Sequence, residues 1–458
     1  MQYDIAIIGA GPGGYVAAIR AAQLGAKVAL IEKEYVGGTC LNWGCIPTKT
    51  VIASMDRYNQ AKKFAKFGIN IENLNYDYEK IAQRKWDIVE KIRKNLAGLI
   101  KSCKIDIITG EAEIKSNNLI AIKQTDSNIE VEYNHLIIAT GSRPVSLPGL
   151  PIDHKFILDT NDILSLEVLP ETVLIVGSGA SGIEWSRIFS SFGKKVILTE
   201  IAPTLAPMFD KSISERIERM FKRQRIEFYT GTGIEKIDGN KVILQNGKEF
   251  SPDIIFLAAG RAPNIEIKGL DCLGLNIGKK GIVVDENLKT CIDNIYAIGD
   301  ITGILPLAHV ASHQGIKAVE HILLNKSAPI NYNAVPKIIY GNPEIASVGL
   351  TEDELMTKGI EYKSSIFPMS AIGKALIEDE IEGFVKVLAD KNKIFGVHIV
   401  AEQGAAMIQQ AAIAINNNLS PENIKETIFA HPSYSEAVYE SFLGIEDFPI
   451  HLPMSMKE

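Results

Sequence analysis

Two glycine fingerprints with matching offsets constrain this 458-residue chain more than any other feature. Tyr3 to Ile8 is a short apolar run, Gly9-Ala10-Gly11-Pro12-Gly13-Gly14 follows it, and Tyr15 to Ala22 is a good helix former. That order reads as strand, tight turn, helix. Gly9 permits the turn, Gly11 lets backbone approach a pyrophosphate, and Gly14 lets helix and strand pack closely, so phosphates can sit on the free N–H groups of the helix start. A strand from Lys27 to Ile31 then leads to Glu32, whose carboxylate can accept both hydroxyls of an adenosine ribose. The same grammar returns at Thr172 to Val176, Gly177-Ser178-Gly179-Ala180-Ser181-Gly182, a strand from Lys195 to Leu198, and Glu200. In both copies the acid stands 23 positions after the first glycine. A lone match is weak, whereas two in the same context predict an α/β chain with two Rossmann-like dinucleotide-binding domains, one cofactor held and another exchanged. Glu200 would repel a 2′-phosphate and no Arg or Lys lies between it and Asp210, so the second site is expected to take NAD rather than NADP.

Turn-rich stretches segment the rest. An apolar strand, His135 to Ala139, ends in Thr140-Gly141, and Pro148-Gly149-Leu150-Pro151 follows, which puts a boundary near 147. The second fingerprint occupies 148–270, closing on the strand Ile254 to Leu257 and the turn Gly260-Arg261-Ala262-Pro263-Asn264. In 271–335 a further strand delivers Gly299-Asp300 to a carboxyl sheet edge, where α/β proteins bind ligands, so this part is expected to complete the domain begun by 1–147. From 336 to 458 no fingerprint occurs; Phe384 to Leu388 and Ile394 to Ile399 read as a hairpin, and Ala405 to Ile415 as a helix. Residues 78–102 read as an amphipathic helix with Ile81, Ile88, Ile92, Leu96 and Leu99 on its packing stripe, toward a core or a dimer partner.

Charge argues against nucleic acid as a partner: Lys and Arg number 48 against 55 Asp and Glu, a net charge of −7 with no basic run. No apolar stretch reaches the ~18 residues of a membrane span. Five cysteines in so long a chain make no secreted disulfide framework. The expected compartment is the cytoplasm, or the mitochondrial matrix if a presequence has been removed, since the first strand begins almost at Met1.

Gly37-Gly38-Thr39-Cys40-Leu41-Asn42-Trp43-Gly44-Cys45-Ile46-Pro47-Thr48-Lys49 places two cysteines five apart, a spacing of neither a zinc half-site nor a thioredoxin-type motif. A regular helix would aim the thiols apart, so bridging them needs the distorted turn that Gly44 and Pro47 permit. The resulting small loop would be strained and therefore reducible. Here the sequence resembles the pyridine nucleotide-disulfide oxidoreductases over essentially its whole length, and within them the branch that oxidises dihydrolipoamide. The resemblance implies FAD on the first fingerprint with Asp300 at its ribitol, NAD on the second, and a C-terminal α+β dimerisation domain. It makes Cys45 the flavin-proximal sulfur and Cys40 the sulfur that exchanges with substrate. Lys49 would lie by the flavin and pair with Glu184. Thr140, Gly141, Gly260 and Ala308 complete the cofactor-binding set that it implies.

The segment Ala430-His431-Pro432-Ser433-Tyr434-Ser435-Glu436 resembles the one carrying that family's base, which implies His431 as proton acceptor, held by Glu436 and reaching the other subunit of a homodimer. Phe429 departs from the family's usual His. The implied partners are lipoyl domains, on acyltransferase components of 2-oxo acid dehydrogenase complexes or in the glycine cleavage system. Alternatives are another NAD(P)H-linked disulfide reductase, such as glutathione reductase, and a flavoprotein whose chief role is docking to such a complex. Gly182 and Glu200, where glutathione reductases carry Ala and Arg, speak against the first; the presence of Cys40, Cys45 and His431 speaks against the second. His309 and His313 are expected to line the flavin pocket or to pack on a helix. Cys103, Cys272 and Cys291 are expected to be inert core residues, and no metal site is expected.

Overall fold

The computed structural model describes residues 1–453 except 126, 328 and 447. Its first sheet grows outward from the strand Gln2–Ile8, which pairs in parallel with Val28–Glu32 on one side and Asn128–Ile138 on the other. Asp106–Thr109 extends one edge, the antiparallel strands Leu119–Lys123 and Glu111–Ser116 the other, and Ile295–Ala297 returns from late in the chain to pair with Asn128–Ile138. Gly9 takes φ +100°, so the chain can turn sharply from the first strand into the helix Pro12–Gln23. A Cβ on Gly14 would collide with the Gly9 carbonyl, which is the close helix-to-strand approach read from the sequence.

The second sheet repeats the plan in the spatial order Glu227–Thr230, Lys195–Glu200, Thr172–Val176, Ile254–Leu257, Ile157–Leu158, all parallel. Gly177 has φ +102° and leads into the helix Ala180–Ser191. Both sheets therefore present their fingerprint at the carboxyl ends of central strands. The third sheet is antiparallel, ordered Lys337–Ile339, Glu344–Gly349, Ile394–Ala401, Phe384–Ala389, Lys363–Pro368, and the Gly404–Asn416 helix packs on it. The expected hairpin is there, with Phe384 opposite Val400 and Leu388 opposite Gly396.

One hydrophobic cluster ties the units together where the site lies. Val51, Ile52 and Met55 of the Cys45–Ala61 helix, Trp185 and Phe189 of the Ala180–Ser191 helix, and Ile339 and Ile345 of the third sheet share it.

One expectation is sharpened and one needs correction. The Tyr78–Ser102 helix forms as read, its first turn capped where the Lys80 N–H donates to Asp77, but its buried face is Tyr78, Ala82, Lys85, Val89 and Ile100. Ile81 and Leu96 pack at the edges of two core clusters, whereas Ile92 and Leu99 are exposed in the single chain, on the side left for the dimer partner that the expectation also allowed; the Lys85 ammonium is accepted into the buried contact by the Leu164 carbonyl. Cys272 and Cys291 are exposed rather than in the core; Cys272 sits in the 3-10 turn Asp271–Leu273 with its thiol directed to the Gly269 carbonyl at 2.9 Å, and Cys291 sits in a surface loop.

Candidate active site between two nucleotide folds

A cleft of about 1010 Å³ runs along the carboxyl edges of the first two sheets. Gly9, Gly11 and Glu32 line one end of it, Cys40, Cys45 and Lys49 its floor, and Gly179, Glu184 and Gly260 its other side; Thr140, Gly141, Asp300 and Ala308 also face it. Gly14, Gly177, Gly182 and Glu200 do not line it, and neither do His309 and His313. His309 instead lies on the Pro336 carbonyl at 3.0 Å.

The cysteine segment folds as two helices, Gly38–Trp43 and Cys45–Ala61, broken at Gly44 (φ −146°, ψ −103°). That break turns Cys40 toward Cys45, which an unbroken helix would not do. All five cysteines are free thiols. The Cys45 thiol is pulled down to about 7, first by a hydrogen bond from the Cys40 thiol and then by the Lys49 ammonium, against the burial that pushes it up. Cys40, as donor of that bond and buried as well, is pushed up. Of the two thiols, Cys45 is thus the one whose surroundings favour the thiolate.

Lys49, one turn along the same helix, donates to both oxygens of Glu184 at 2.9 Å. Burial favours its neutral form, but the Glu184 carboxylate outweighs that and raises its pKa. Glu184 also accepts the Tyr340 N–H at 2.9 Å, and the Lys49 ammonium stands 4.7 Å from the centre of the Tyr340 ring. Asp300 accepts a 2.5 Å hydrogen bond from the Ser142 hydroxyl, which in turn accepts from Arg261 Nε at 2.8 Å; Arg261 Nη2 also donates to the Ser142 carbonyl at 2.6 Å. Tyr340, Ser142 and Arg261 escaped the sequence reading as site residues. Ser142 and Arg261 each adjoin a singled-out glycine, which was the available signal; Tyr340 had none.

Each fingerprint acid is held by its own turn. Glu32 accepts the Ala10 N–H at 2.8 Å and the Glu34 N–H at 3.0 Å. Glu200 accepts the Ser178 N–H at 2.7 Å, the Ser178 hydroxyl at 2.7 Å and the Ala202 N–H at 2.9 Å. His431 lies elsewhere. It is exposed in the third unit, away from the cleft, with Nδ1 2.8 Å from Glu436 Oε1; Glu436 also accepts the Ser433 N–H at 2.8 Å. Burial opposes ionisation of Glu436, but these two bonds hold its carboxyl below the usual range. A carboxylate partner keeps the proton on Nδ1 and leaves Nε2 to take another. Phe429 packs against Tyr439, their ring centres 5.3 Å apart.

The donor set fits a dinucleotide along the cleft. Its volume is in the range of cofactor sites, and a helix start with free N–H groups opens into it beside the Glu32 carboxylate. A Cβ on Gly141 or Gly260 would meet nothing within 4 Å, so both turns leave room beside the backbone.

Comparison with known proteins agrees. Residues 3–315 match the family described as pyridine nucleotide-disulphide oxidoreductase, and residues 335–442 match the dimerisation domain of the same family. The dihydrolipoyl dehydrogenase of Bacillus subtilis is 40% identical, with 98% of this chain and 99% of that one covered. That of Chlamydia muridarum is 39% identical over 99% of each, and a mitochondrial one from Arabidopsis thaliana is 37% identical over 98% of this chain and 91% of its own. Among solved structures, LpdA of Mycobacterium tuberculosis superposes with a TM-score of 0.89 at 25% identity, covering 96% of this chain and 99% of that one. The HOCl-induced flavoprotein disulfide reductase RclA of Escherichia coli gives 0.87 at 27% identity, covering 97% and 100%. No helix among the described residues is long and apolar enough to cross a membrane. Likeness of this extent, spanning both nucleotide folds and the third unit, means that the chain belongs to the pyridine nucleotide-disulphide oxidoreductases.

Proposed function

We propose that this chain oxidises protein-bound dihydrolipoamide to lipoamide through Cys40 and Cys45 and passes the electron pair to NAD+, with FAD as its resident cofactor. The observation that carries the reading is the placement of the thiol pair itself, Cys40 and Cys45 on either side of the helix break at Gly44, both lining the cleft together with the Lys49–Glu184 pair. When bound, FAD supplies the two-electron acceptor for this dithiol and NAD+ the final hydride acceptor.

In the oxidised chain a substrate thiolate attacks Sγ of Cys40, forming a mixed disulfide and releasing Cys45 as thiolate. The second substrate thiolate then attacks the substrate sulfur of that mixed disulfide, closing the lipoamide ring and releasing Cys40. Two electrons have moved from substrate to the cysteine pair. His431 Nε2 accepts a substrate thiol proton while Glu436 holds its ring, and Lys49 keeps the Cys45 thiolate charged. Glu184 keeps Lys49 protonated and aimed.

Further assignments belong to the same reading. Gly9, Gly11, Gly14, Glu32, Thr140, Gly141, Asp300 and Ala308 hold FAD; Gly177, Gly179, Gly182, Glu200 and Gly260 hold NAD. The chain divides at 147, 270 and 335. Its partners are lipoyl domains of acyltransferase components of 2-oxo acid dehydrogenase complexes, or of the glycine cleavage system. A reducing compartment, bacterial cytoplasm or mitochondrial matrix, suits a chain whose cysteine pair opens and closes by thiol exchange.

His431 is away from the cysteines of its own chain, and the third unit matches a dimerisation domain, so the reading places it at the partner's site. Cys45→Ser and His431→Gln homodimers should both fail to turn over dihydrolipoamide. In the mixed dimer one site carries both lesions and the other none, so activity should return to about half per dimer. A verified mixed dimer as inactive as its parents would sink the cross-subunit assignment.

A further inference from the structure

Arg187 lies on the same helix as Glu184, one turn further on, and is 2% exposed. Its guanidinium forms no ion pair among the described residues and goes to backbone carbonyls instead. Nη1 donates to Pro343 O at 3.0 Å and to Tyr340 O at 3.5 Å, and Nη2 donates to Asn342 O. Gly341 makes the space: at φ +124° it carries no side chain where a Cβ would stand 2.5 Å from Nη1. The charged groups facing the guanidinium are Asp56 on the cysteine helix, Glu184 on its own helix, Glu344 in the third sheet and Glu402 just beyond that sheet's central strand.

A buried cation without a carboxylate on it costs stability, and an apolar side chain would fill the same volume without that penalty. What the guanidinium adds is three directed bonds onto one turn. The first residue of that turn is Tyr340, whose N–H donates to Glu184 and whose ring lies under the Lys49 ammonium. The groups facing Cys45 are Cys40, Lys49 and Glu184, with Arg261 and Tyr340 beyond them.

We propose that Arg187 is a positioning residue for the thiol pair: by gripping the carbonyls of Tyr340, Asn342 and Pro343 it sets Tyr340 against Glu184 and Lys49, and so fixes the ammonium beside Cys45. The inference rests on the reading of Cys45 as the working thiolate.

The test follows alkylation of Cys45 by iodoacetamide in the reduced holoenzyme as a function of pH, with the modified peptide identified by mass. In the wild type the midpoint lies below that of an ordinary thiol. Arg187→Met should raise it by about half a pH unit or more, which is about threefold slower alkylation on the acid side. Because both act through Glu184, Arg187→Met added to Glu184→Gln should shift the midpoint by less than half of what it does alone. An Arg187→Met midpoint within about 0.2 units of wild type, or a shift that adds in full to that of Glu184→Gln, overturns the proposal. Should Arg187→Met not fold, Arg187→Lys keeps the charge but cannot span three carbonyls, and it should move the midpoint in the same direction; a wild-type midpoint there also overturns it. An ordinary-thiol midpoint in the wild type would defeat the reading of Cys45 itself, whereas a low wild-type midpoint that ignores Arg187 defeats only this inference.

Discussion

The N–H of Ala10 donates to Glu32 and that of Ser178 donates to Glu200, the same bond in both fingerprints. The second acid is gripped more firmly, because the Ser178 hydroxyl adds a bond where the first turn has only alanine. Opposite the middle glycines the relation reverses. The backbone of Gly38 comes to 3.8 Å of where a Cβ on Gly11 would stand, while a Cβ on Gly179 would meet nothing within 4 Å. The first fingerprint helix is also backed by Ala308–Leu324, so closely that a Cβ on Gly315 would stand 2.6 Å from the Gly13 carbonyl. On the proposed reading, holding one cofactor and exchanging the other would be a property of the surroundings rather than of the fingerprint. The segment that roofs the first site is the one that carries the cysteines, so the same backbone that closes over one nucleotide delivers the reactive thiols.

The largest expected effect separates the two sites outright. Gly11→Val should yield colourless, inactive protein, because a Cβ there already touches Gly38 at 3.8 Å and the two methyl groups beyond it would fill the gap through which the pyrophosphate must approach the turn. Gly179→Val should stay yellow and lose at least ~100-fold in NAD reduction, about 2.7 kcal/mol. Flavin absorbance in purified Gly11→Val, or its loss in Gly179→Val, breaks the comparison. Next in size is coenzyme choice: NAD should be favoured over NADP by at least ~100-fold, and Glu200→Ala should cut that preference about tenfold or more, while Glu32→Ala leaves the ratio unchanged. Equal catalytic efficiency with both coenzymes in the wild type would defeat the role of Glu200. The smallest effect tests the extra hydroxyl. Ser178→Ala leaves Glu200 with two of its three bonds, about 1 kcal/mol, so KM for NAD should rise about fivefold with KM for dihydrolipoamide unmoved. An unchanged KM for NAD would make the hydroxyl irrelevant to binding.

Strands, turns and helix starts around both fingerprints were legible because each needs only its own neighbours: a glycine that can take positive φ, a run of apolar residues, an acid at the end of the next strand. What the sequence left open has a common origin. Periodicity finds an apolar stripe on residues 78–102, but which side of a helix meets a neighbour depends on where that neighbour stands. Lys85 could enter the buried face only because a carbonyl at Leu164 receives its ammonium. Cys272 and Cys291 look like core residues by type and are left outside by the path of the chain.

The chemistry divides along the same line. Cys40, Gly44 and Cys45 lie within a few residues of one another, and a broken helix is enough to bring the two thiols together, so short-range rules find them; Lys49 and its pairing with Glu184 were expected only through the family resemblance. Glu184 reaches Lys49 across 135 residues, and Tyr340 reaches Glu184 across a further 156. Arg187 joins that group only because a turn of the third unit folds around its guanidinium. No local pattern encodes such meetings; they follow from the packing of the cysteine helix, the second fingerprint helix and the third sheet into one hydrophobic cluster, which places their polar edges within hydrogen-bonding distance.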